Sequence, residues 1–156
     1  MAAKAHEECG GRGVGAIGMC FTGGFALGMA VDERMLAPVL SQPANPAAVG
    51  ARRRTSIDIS PPDLDRVKQR AAAGACRVLG LRFTADSAVP AARFAMLRRE
   101  LGDAFIAIEI DSSPGNPYGV PKSSHSVLTE HLVEQPGHPT VEARDRVLEF
   151  LRAQLT

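Results

Sequence analysis

The sequence is poor in aromatic residues and contains no tryptophan. Aromatic side chains make up 4% of the 156 residues, and there is one tyrosine. Proteins that bind single-stranded nucleic acid stack the bases on aromatic side chains, so this composition argues against such a surface. The formal net charge of +1 also argues against a broad electrostatic attraction to nucleic acid or to an anionic membrane.

The sequence also lacks paired cysteines. Its three cysteines, Cys9, Cys20 and Cys76, form no CxxC motif and leave an odd thiol. This pattern argues against a disulfide framework and against a structural zinc site, so we expect neither metal nor cofactor. It also gives no resolving cysteine for a thiol redox domain. Reduced cysteines are typical of a cytoplasmic protein, which is the location that we expect.

One stretch lacks charge altogether, residues 13–31, and its length approaches that of a membrane span. Six glycines in the stretch lower its hydrophobicity, and Glu7 and Glu8 precede it instead of a basic segment. We therefore expect a buried segment of a folded domain and no membrane insertion.

The same stretch matches the letters of the dinucleotide-binding motif GxGxxG between Gly13 and Gly18. That motif requires a strand before the glycines and a helix that begins on them. Here residues 1–9 have helical composition, and the glycines lie inside the apolar run itself. We therefore disfavour a nucleotide-binding site.

Short apolar runs alternate with helical patterns along the rest of the chain. The predicted strands are residues 14–19, 35–40, 76–83 and 104–110, although Pro38 makes the second less regular. The predicted helices are residues 1–9, 21–31, 61–73, 91–101 and 141–155. This alternation is typical of a three-layer α/β fold, with a mostly parallel sheet of about four strands and crossover helices. We expect one domain over residues 1–156.

Residues 43–60 are rich in proline, alanine and arginine without clear periodicity, and we expect a loop or a cap-like excursion there. The arginines at positions 52–54 could bind an anionic substrate, but a charged run in a loop is usually solvated. We favour the solvated interpretation.

Cys20 lies where the first predicted strand meets the second predicted helix. A side chain at such a turn is exposed at the carboxyl edge of a sheet, beside the positive end of a helix. Reactive cysteines are typically placed in this way, although a cysteine by itself is more often a packed core residue. Cys76, inside a predicted strand, fits the core interpretation.

An acid and a histidine also follow predicted strands. Asp86 comes after the third strand and His125 after the fourth, so both belong at the edge that carries Cys20. Asp86 could instead cap the helix that begins after Val89. His131 and His138 are alternatives to His125, but we expect a surface or packing residue and a turn residue there, and His125 is nearest to the last strand.

These three segments together resemble the dienelactone hydrolase family of the α/β-hydrolase fold. The segments are GMCFTGG at 18–24, TADSAVP at 84–90 and SHSV at 124–127. The order nucleophile, acid, histidine is the one that α/β-hydrolases use. The resemblance covers nearly the whole chain but only the later part of the family's domain, without its N-terminal strands.

The resemblance implies a role for each residue. Cys20 would be the nucleophile, His125 its general base, and Asp86 the group that orients the imidazole. The backbone N–H of Phe21 would donate to the oxyanion. The implied activity is hydrolysis of a carboxylic ester or lactone of a small molecule.

Two departures from the family pattern support an alternative function. Thr22 stands where the usual elbow has glycine, and the loop that supplies a second oxyanion donor in the family has no counterpart here. The alternative is a catalytically impaired remnant that acts as an interaction module. The strand at 14–19 would also lack a neighbour on one side, so we expect self-association through its edge.

Overall fold

The computed structural model describes residues 1–45 and 55–156, and the arginines at positions 52–54 lie outside the described residues. No helix in these two ranges is both long and apolar enough to cross a membrane. The helices are α1 (Ala2–Cys9), α2 (Thr22–Met29), α3 (Pro61–Ala72), α4 (Ala91–Leu101) and α5 (Pro139–Leu155), with a 3-10 turn at Gly102–Ala104. The strands are β1 (Val14–Met19), β2 (Met35–Ser41), β3 (Val78–Phe83) and β4 (Phe105–Ile110).

The four strands form one parallel sheet in the order β1-β2-β3-β4. Every predicted strand is therefore present, including the one that contains Pro38. The ladder between β2 and β3 begins only at Val39, directly after this proline. Proline has no N–H to donate, so it is accommodated where the pairing to β3 has not yet started.

Helices cover both faces of the sheet, which confirms the predicted three-layer α/β architecture. Side chains of α2, α3 and α4, with Ala2 of α1, form the core on one face, and Cys76 is buried there. Helix α5 forms the core on the other face together with Val120 and Val127. Strands β2 and β3 are buried between these layers, which explains their nearly continuous apolar sequences.

Within residues 1–45 and 55–156, no strand pairs with the outer edge of β1. The N–H groups of Val14 and Cys20 donate to carbonyls around β2, and amides alternate in direction along a strand. The amides of Gly15 and Ile17 therefore point away from the sheet. Ile17 is exposed, and so are Met19, Phe21 and Phe25 beside it. The first strand thus presents both unpaired backbone groups and apolar side chains to solvent.

We propose that the chain associates with itself through this edge. Ile17→Lys should weaken the association at least about tenfold, because a lysine on an edge strand opposes pairing with another strand. Sedimentation velocity over a range of protein concentrations measures the effect. Leu148→Lys, at an exposed position of α5, is the matched control and should leave it unchanged. A wild-type chain that stays monomeric at every concentration would contradict the proposal.

Candidate active site

Cys20 occupies the turn between β1 and α2 with a φ of 55°. Residues other than glycine rarely adopt this left-handed conformation, and it persists only where the surroundings enforce it. The Cys20 N–H donates to the Ser41 carbonyl at 3.0 Å, and the Cys20 carbonyl accepts from Gly23 at 3.1 Å and from Ala44 at 3.0 Å. Backbone hydrogen bonds from both sides therefore hold the cysteine in a strained turn.

Glycines allow α2 to pack closely against this turn. A Cβ at Gly18 would lie 2.3 Å from the Thr22 carbonyl oxygen and 2.8 Å from the Cβ of Ala26. A Cβ at Gly23 would lie 2.7 Å from the Cβ of Pro43. The Thr22 carbonyl and the Pro43 ring cannot move aside without a shift of the backbone. A larger residue at Gly18 or Gly23 would therefore displace α2.

Gly18→Ala should therefore lower the free energy of unfolding by about 3 kcal/mol, because the added methyl group meets a backbone carbonyl. Gly28→Ala, in the helix that packs against Gly18, is the control. A Cβ at Gly28 has no neighbour within 4 Å, so this change should be neutral or stabilising by up to about 1 kcal/mol. Urea unfolding followed by circular dichroism measures both values. Equal effects at the two positions would show that the tight approach at Gly18 does not exist.

Thr22 is accommodated at the edge of β1. Its Oγ1 accepts from the Met19 N–H at 2.8 Å and donates to the Met19 carbonyl at 2.6 Å. One hydroxyl thus satisfies both backbone groups of a residue that faces the unpaired edge. Thr22, which stands where the usual elbow has glycine, therefore needs no additional space against the helix.

The backbone N–H of Phe21, the residue after the cysteine, has no hydrogen-bond acceptor in the part of the chain that the structure describes. Phe21 is also the N-cap residue of α2. An N–H at this position is free to donate to a negatively charged oxygen close to the Cys20 sulfur.

Asp86 lies in the turn after β3 and is 8% exposed. Its Oδ1 accepts from the Ala88 N–H at 2.9 Å. The N-cap of α4 is Pro90, without a side-chain hydrogen bond, so the alternative in which Asp86 caps this helix is wrong. The turn is also bound to the end of β4, because the Ala85 N–H donates to Ser112 Oγ at 3.0 Å.

The structure brings His125 directly to this aspartate. The His125 Nδ1 lies 2.6 Å from Asp86 Oδ2. A carboxylate can only accept, so Nδ1–H donates, and the second ring nitrogen, Nε2, is left free to accept a proton. The His125 side chain is 28% exposed and that of Asp86 is 6% exposed. The pair is therefore buried at the acid and open to solvent at the imidazole.

We expected His131 to be a surface or packing residue. In the structure it also supports the backbone of His125. Its Nδ1 accepts from the Ser126 N–H at 3.2 Å and faces the His125 N–H at 3.5 Å. The ring also packs edge-to-face on Phe83 at 6.0 Å between centroids. His138 is the N-cap of α5 and accepts from the Thr140 N–H. Both alternatives to His125 are therefore engaged in holding backbone.

Gln42 connects the cysteine side of the site to the histidine side. It follows β2, is 2% exposed and has a φ of 38°. Its Oε1 accepts from the Val127 N–H at 3.3 Å and from the Ser41 hydroxyl. The same Ser41 holds Cys20 through its carbonyl, so the loop of His125 is attached to the strand that supports the cysteine. The sequence pattern predicted no role for Gln42.

Cys20 thus lies at the same edge of the sheet as the His125–Asp86 pair. Among the described residues, no hydrogen bond joins Cys20 Sγ to the ring of His125. In structures without substrate, the contact between a nucleophile and its base is often long and closes only in the reacting complex. The structure therefore joins two of the three predicted residues directly and places the third at the same edge of the sheet.

Two buried arginines lie near the acid turn, and neither was predicted from the sequence. Arg82 donates to the Val89 carbonyl at 2.5 Å and to Glu109 Oε2 at 2.8 Å. Arg93 is buried in α4, where it donates to backbone carbonyls. The available signal was a charged residue in an apolar pattern, since Arg82 lies inside β3 and Arg93 precedes the buried Leu97 by one helical turn.

Asp111, the acid that follows β4, is bound by its own loop and by the Thr84 hydroxyl after β3, at 3.4 Å. Asp111 Oδ1 accepts from the Ser113 N–H at 2.8 Å, and this backbone hydrogen bond lowers the pKa of the Asp111 carboxyl. Within residues 1–45 and 55–156, no three or more histidine, cysteine, aspartate or glutamate side chains are grouped to hold a metal ion.

No protein-family model matches the chain, and no curated protein matches it. Two solved structures are similar in fold. One is a candidate dienelactone hydrolase from Klebsiella pneumoniae subsp. pneumoniae MGH 78578, with a TM-score of 0.61 and 17% sequence identity. The other is the 2,6-dihydroxy-pseudo-oxynicotine hydrolase, with a TM-score of 0.50 and 12% identity.

The similarity extends over most of this chain but over only part of each neighbour. The superposition covers 96% of this chain and 57% of the Klebsiella protein, and 89% of this chain and 40% of the second hydrolase. At these identities the comparison concerns the fold. The chain therefore has a three-layer α/β fold similar to that of these two hydrolases, over about half of their length.

Proposed function

We propose that the chain hydrolyses carboxylic esters or lactones of small molecules, with Cys20 as the nucleophile. One observation carries the proposal: a cysteine held at a left-handed strand-to-helix turn lies at the same sheet edge as a histidine bound to a buried aspartate at 2.6 Å. Backbone strain in a non-glycine residue is typical of functional sites. The hydrolase fold of the two structural neighbours supports the same class of reaction.

The proposed acylation begins with proton transfer from Cys20 Sγ to His125 Nε2. The sulfur then attacks the carbonyl carbon, and the carbonyl electron pair moves to oxygen. The Phe21 N–H donates to this oxyanion. When the oxyanion re-forms the carbonyl, the bond to the alcohol oxygen breaks, the alcohol takes the proton from His125, and a thioester remains on Cys20.

Deacylation repeats these steps with water. His125 Nε2 removes a proton from water, the hydroxide adds to the thioester carbonyl, and the Cys20 sulfur departs and regains a proton from the imidazolium. Asp86 accepts the Nδ1–H throughout, which fixes the tautomer that presents Nε2 and stabilises the positive charge on the ring. The product is a carboxylic acid.

The oxyanion site limits the expected rate. The sequence predicts one donor, the Phe21 N–H, and removal of one of two donors typically lowers kcat by about 10²–10³. We therefore expect slow turnover and a preference for esters with good leaving groups, because their breakdown depends least on stabilisation of the oxyanion.

The proposal is tested by incubating the chain with p-nitrophenyl acetate and mapping acetylated peptides by mass spectrometry. The acetyl group should be found on Cys20, with release of p-nitrophenol beyond one equivalent. The other two thiols are internal controls: Cys9 is exposed, and burial raises the pKa of the Cys76 thiol. Acetylation of Cys9 to the same extent, or of no cysteine, would contradict the proposal.

A second candidate function is a non-catalytic interaction module with the same fold. The free edge of β1 and the exposed Ile17, Met19, Phe21 and Phe25 favour it, because such a surface suits binding to another chain. This candidate predicts association in the absence of acetyl-Cys20 and of turnover. The acetylation experiment and sedimentation velocity together separate the two functions.

A further inference from the structure

The guanidinium of Arg93 connects three separate segments at the carboxyl edge of the sheet. The side chain is completely buried. Its Nε donates to the Ser56 carbonyl at 2.9 Å, and its Nη1 donates to the carbonyls of Pro43 and Ala88, both at 2.8 Å. Ser56 precedes α3, Pro43 follows β2, and Ala88 follows β3. One side chain therefore joins both ends of the connection between β2 and α3 to the turn after β3.

Two of these segments lead to the proposed catalytic residues. Ala88 belongs to the acid turn, and its N–H binds Asp86 Oδ1 at 2.9 Å. Pro43 precedes Ala44, whose N–H binds the Cys20 carbonyl at 3.0 Å. Arg93 thus joins the turn that carries the aspartate to the segment that holds the cysteine.

The charge of Arg93 is also matched to the site. Burial lowers the pKa of the guanidinium, and the negative charge of Asp86 opposes this shift. A buried cation without a counter-charge would be strongly destabilising. The aspartate and the arginine therefore support each other electrostatically as well as through the backbone of the acid turn.

We propose that Arg93 is a positioning residue, which keeps the Asp86–His125 pair in register with Cys20 by tying the acid turn to the segment that supports the elbow. This inference rests on the proposed function in one respect, that the three residues act together in catalysis. The orientation of the His125–Asp86 pair itself can be measured without any turnover.

Arg70 provides a matched control. It is also buried, at 5% exposure, and it also donates to backbone carbonyls. Its acceptors lie at the opposite, amino-terminal edge of the sheet, at Ala30, Asp32, Glu33, Met35 and Ala75. Loss of Arg70 should therefore reduce stability without reaching the site.

The experiment compares Arg93→Met with Arg70→Met by two measurements. Proton NMR detects the His125 Nδ1–H, which resonates far downfield when it is held in a short bond to a carboxylate. Arg93→Met should lose or broaden this resonance and lower kcat for p-nitrophenyl acetate about 100-fold, with KM changed less than about threefold, because a small misplacement of catalytic groups acts on kcat. Arg70→Met should keep the resonance and the kcat of the wild type.

Conservative variants separate positioning from general destabilisation. Arg93→Lys keeps the charge and can still donate to the carbonyls that it reaches, so it should restore the resonance and bring kcat to within about tenfold of the wild type. If Arg93→Met does not fold, Arg93→Gln and Arg70→Gln are compared instead, and only Arg93→Gln should broaden the resonance and lower kcat, because a glutamine is too short and has too few donors to reach all of the Arg93 acceptors.

The inference is overturned if Arg93→Met, or Arg93→Gln in its place, keeps the wild-type resonance and kcat, or if the matching Arg70 variant loses them equally. A wild-type chain without the downfield resonance would overturn it as well. Failure of the proposed function has a different signature, the absence of acetyl-Cys20 and of turnover in the wild type. In that case the resonance still decides the role of Arg93.

Discussion

Replacement of Cys20 by alanine should abolish the hydrolysis of p-nitrophenyl acetate, with kcat/KM falling about 10⁴-fold or more. The alanine removes the only atom that forms the thioester, so the remaining groups can at most assist direct attack by water. Steady-state kinetics measure the loss. Cys9→Ala, at the exposed end of α1, is the control and should keep the wild-type rate.

Cys20→Gly should be equally inactive and yet more stable. The backbone at position 20 has a φ of 55°, which glycine adopts without the strain that a side chain causes there. We expect a gain of about 1 kcal/mol in the free energy of unfolding. Activity and stability would then change in opposite directions at one residue. Retained hydrolysis in either variant would exclude Cys20 as the nucleophile, and a less stable Cys20→Gly would contradict the strained turn.

Asp86→Asn should lower kcat by about 10³–10⁴, with little change in the fold. An asparagine at position 86 can still accept from Ala88, but its amide can donate to His125 Nδ1, which places the ring proton on Nε2. The imidazole would then have no lone pair for the sulfur, and the imidazolium would lose its counter-charge. Steady-state kinetics across neutral pH, with circular dichroism to verify the fold, measure the effect.

Asp103→Asn is the matched control for this change. Asp103 is exposed and lies in the 3-10 turn before β4, at the opposite edge of the sheet from the acid turn. It should leave kcat unchanged. A loss of less than about tenfold in Asp86→Asn would show that the pair at 2.6 Å holds structure and does not take part in proton transfer.

Local patterns were sufficient to predict the elements of the fold. The apolar runs at 14–19 and 104–110 are short and bounded by glycine or acid residues, and the structure has strands at those positions. Helix α2 is shorter than predicted and ends at Met29, because the apolar pattern continues past the last helical turn into the bends before β2. Helix α5 begins at Pro139, two residues before the periodic pattern, where His138 provides a cap.

Part of the site was also accessible from the sequence, because each candidate follows a strand and parallel strands end at one edge. This rule selected Asp86 and His125, which are 39 residues apart and hydrogen-bonded in the structure. It could not select Arg93, Gln42 or His131. Their importance depends on which carbonyls and amides of distant segments come within hydrogen-bond distance, and no periodicity records such contacts.

The sequence by itself determined the alternation of strands and helices, the strand-to-helix turn at Cys20 and the order of the three candidate residues. Hydrophobic periodicity and glycine content are local properties, and burial of apolar faces is enough to express them. Only the tertiary structure decided which buried polar groups hold the edge of the sheet together. A buried arginine or glutamine must satisfy its hydrogen bonds with whatever backbone the fold brings near it, and that geometry exists only once the chain has folded.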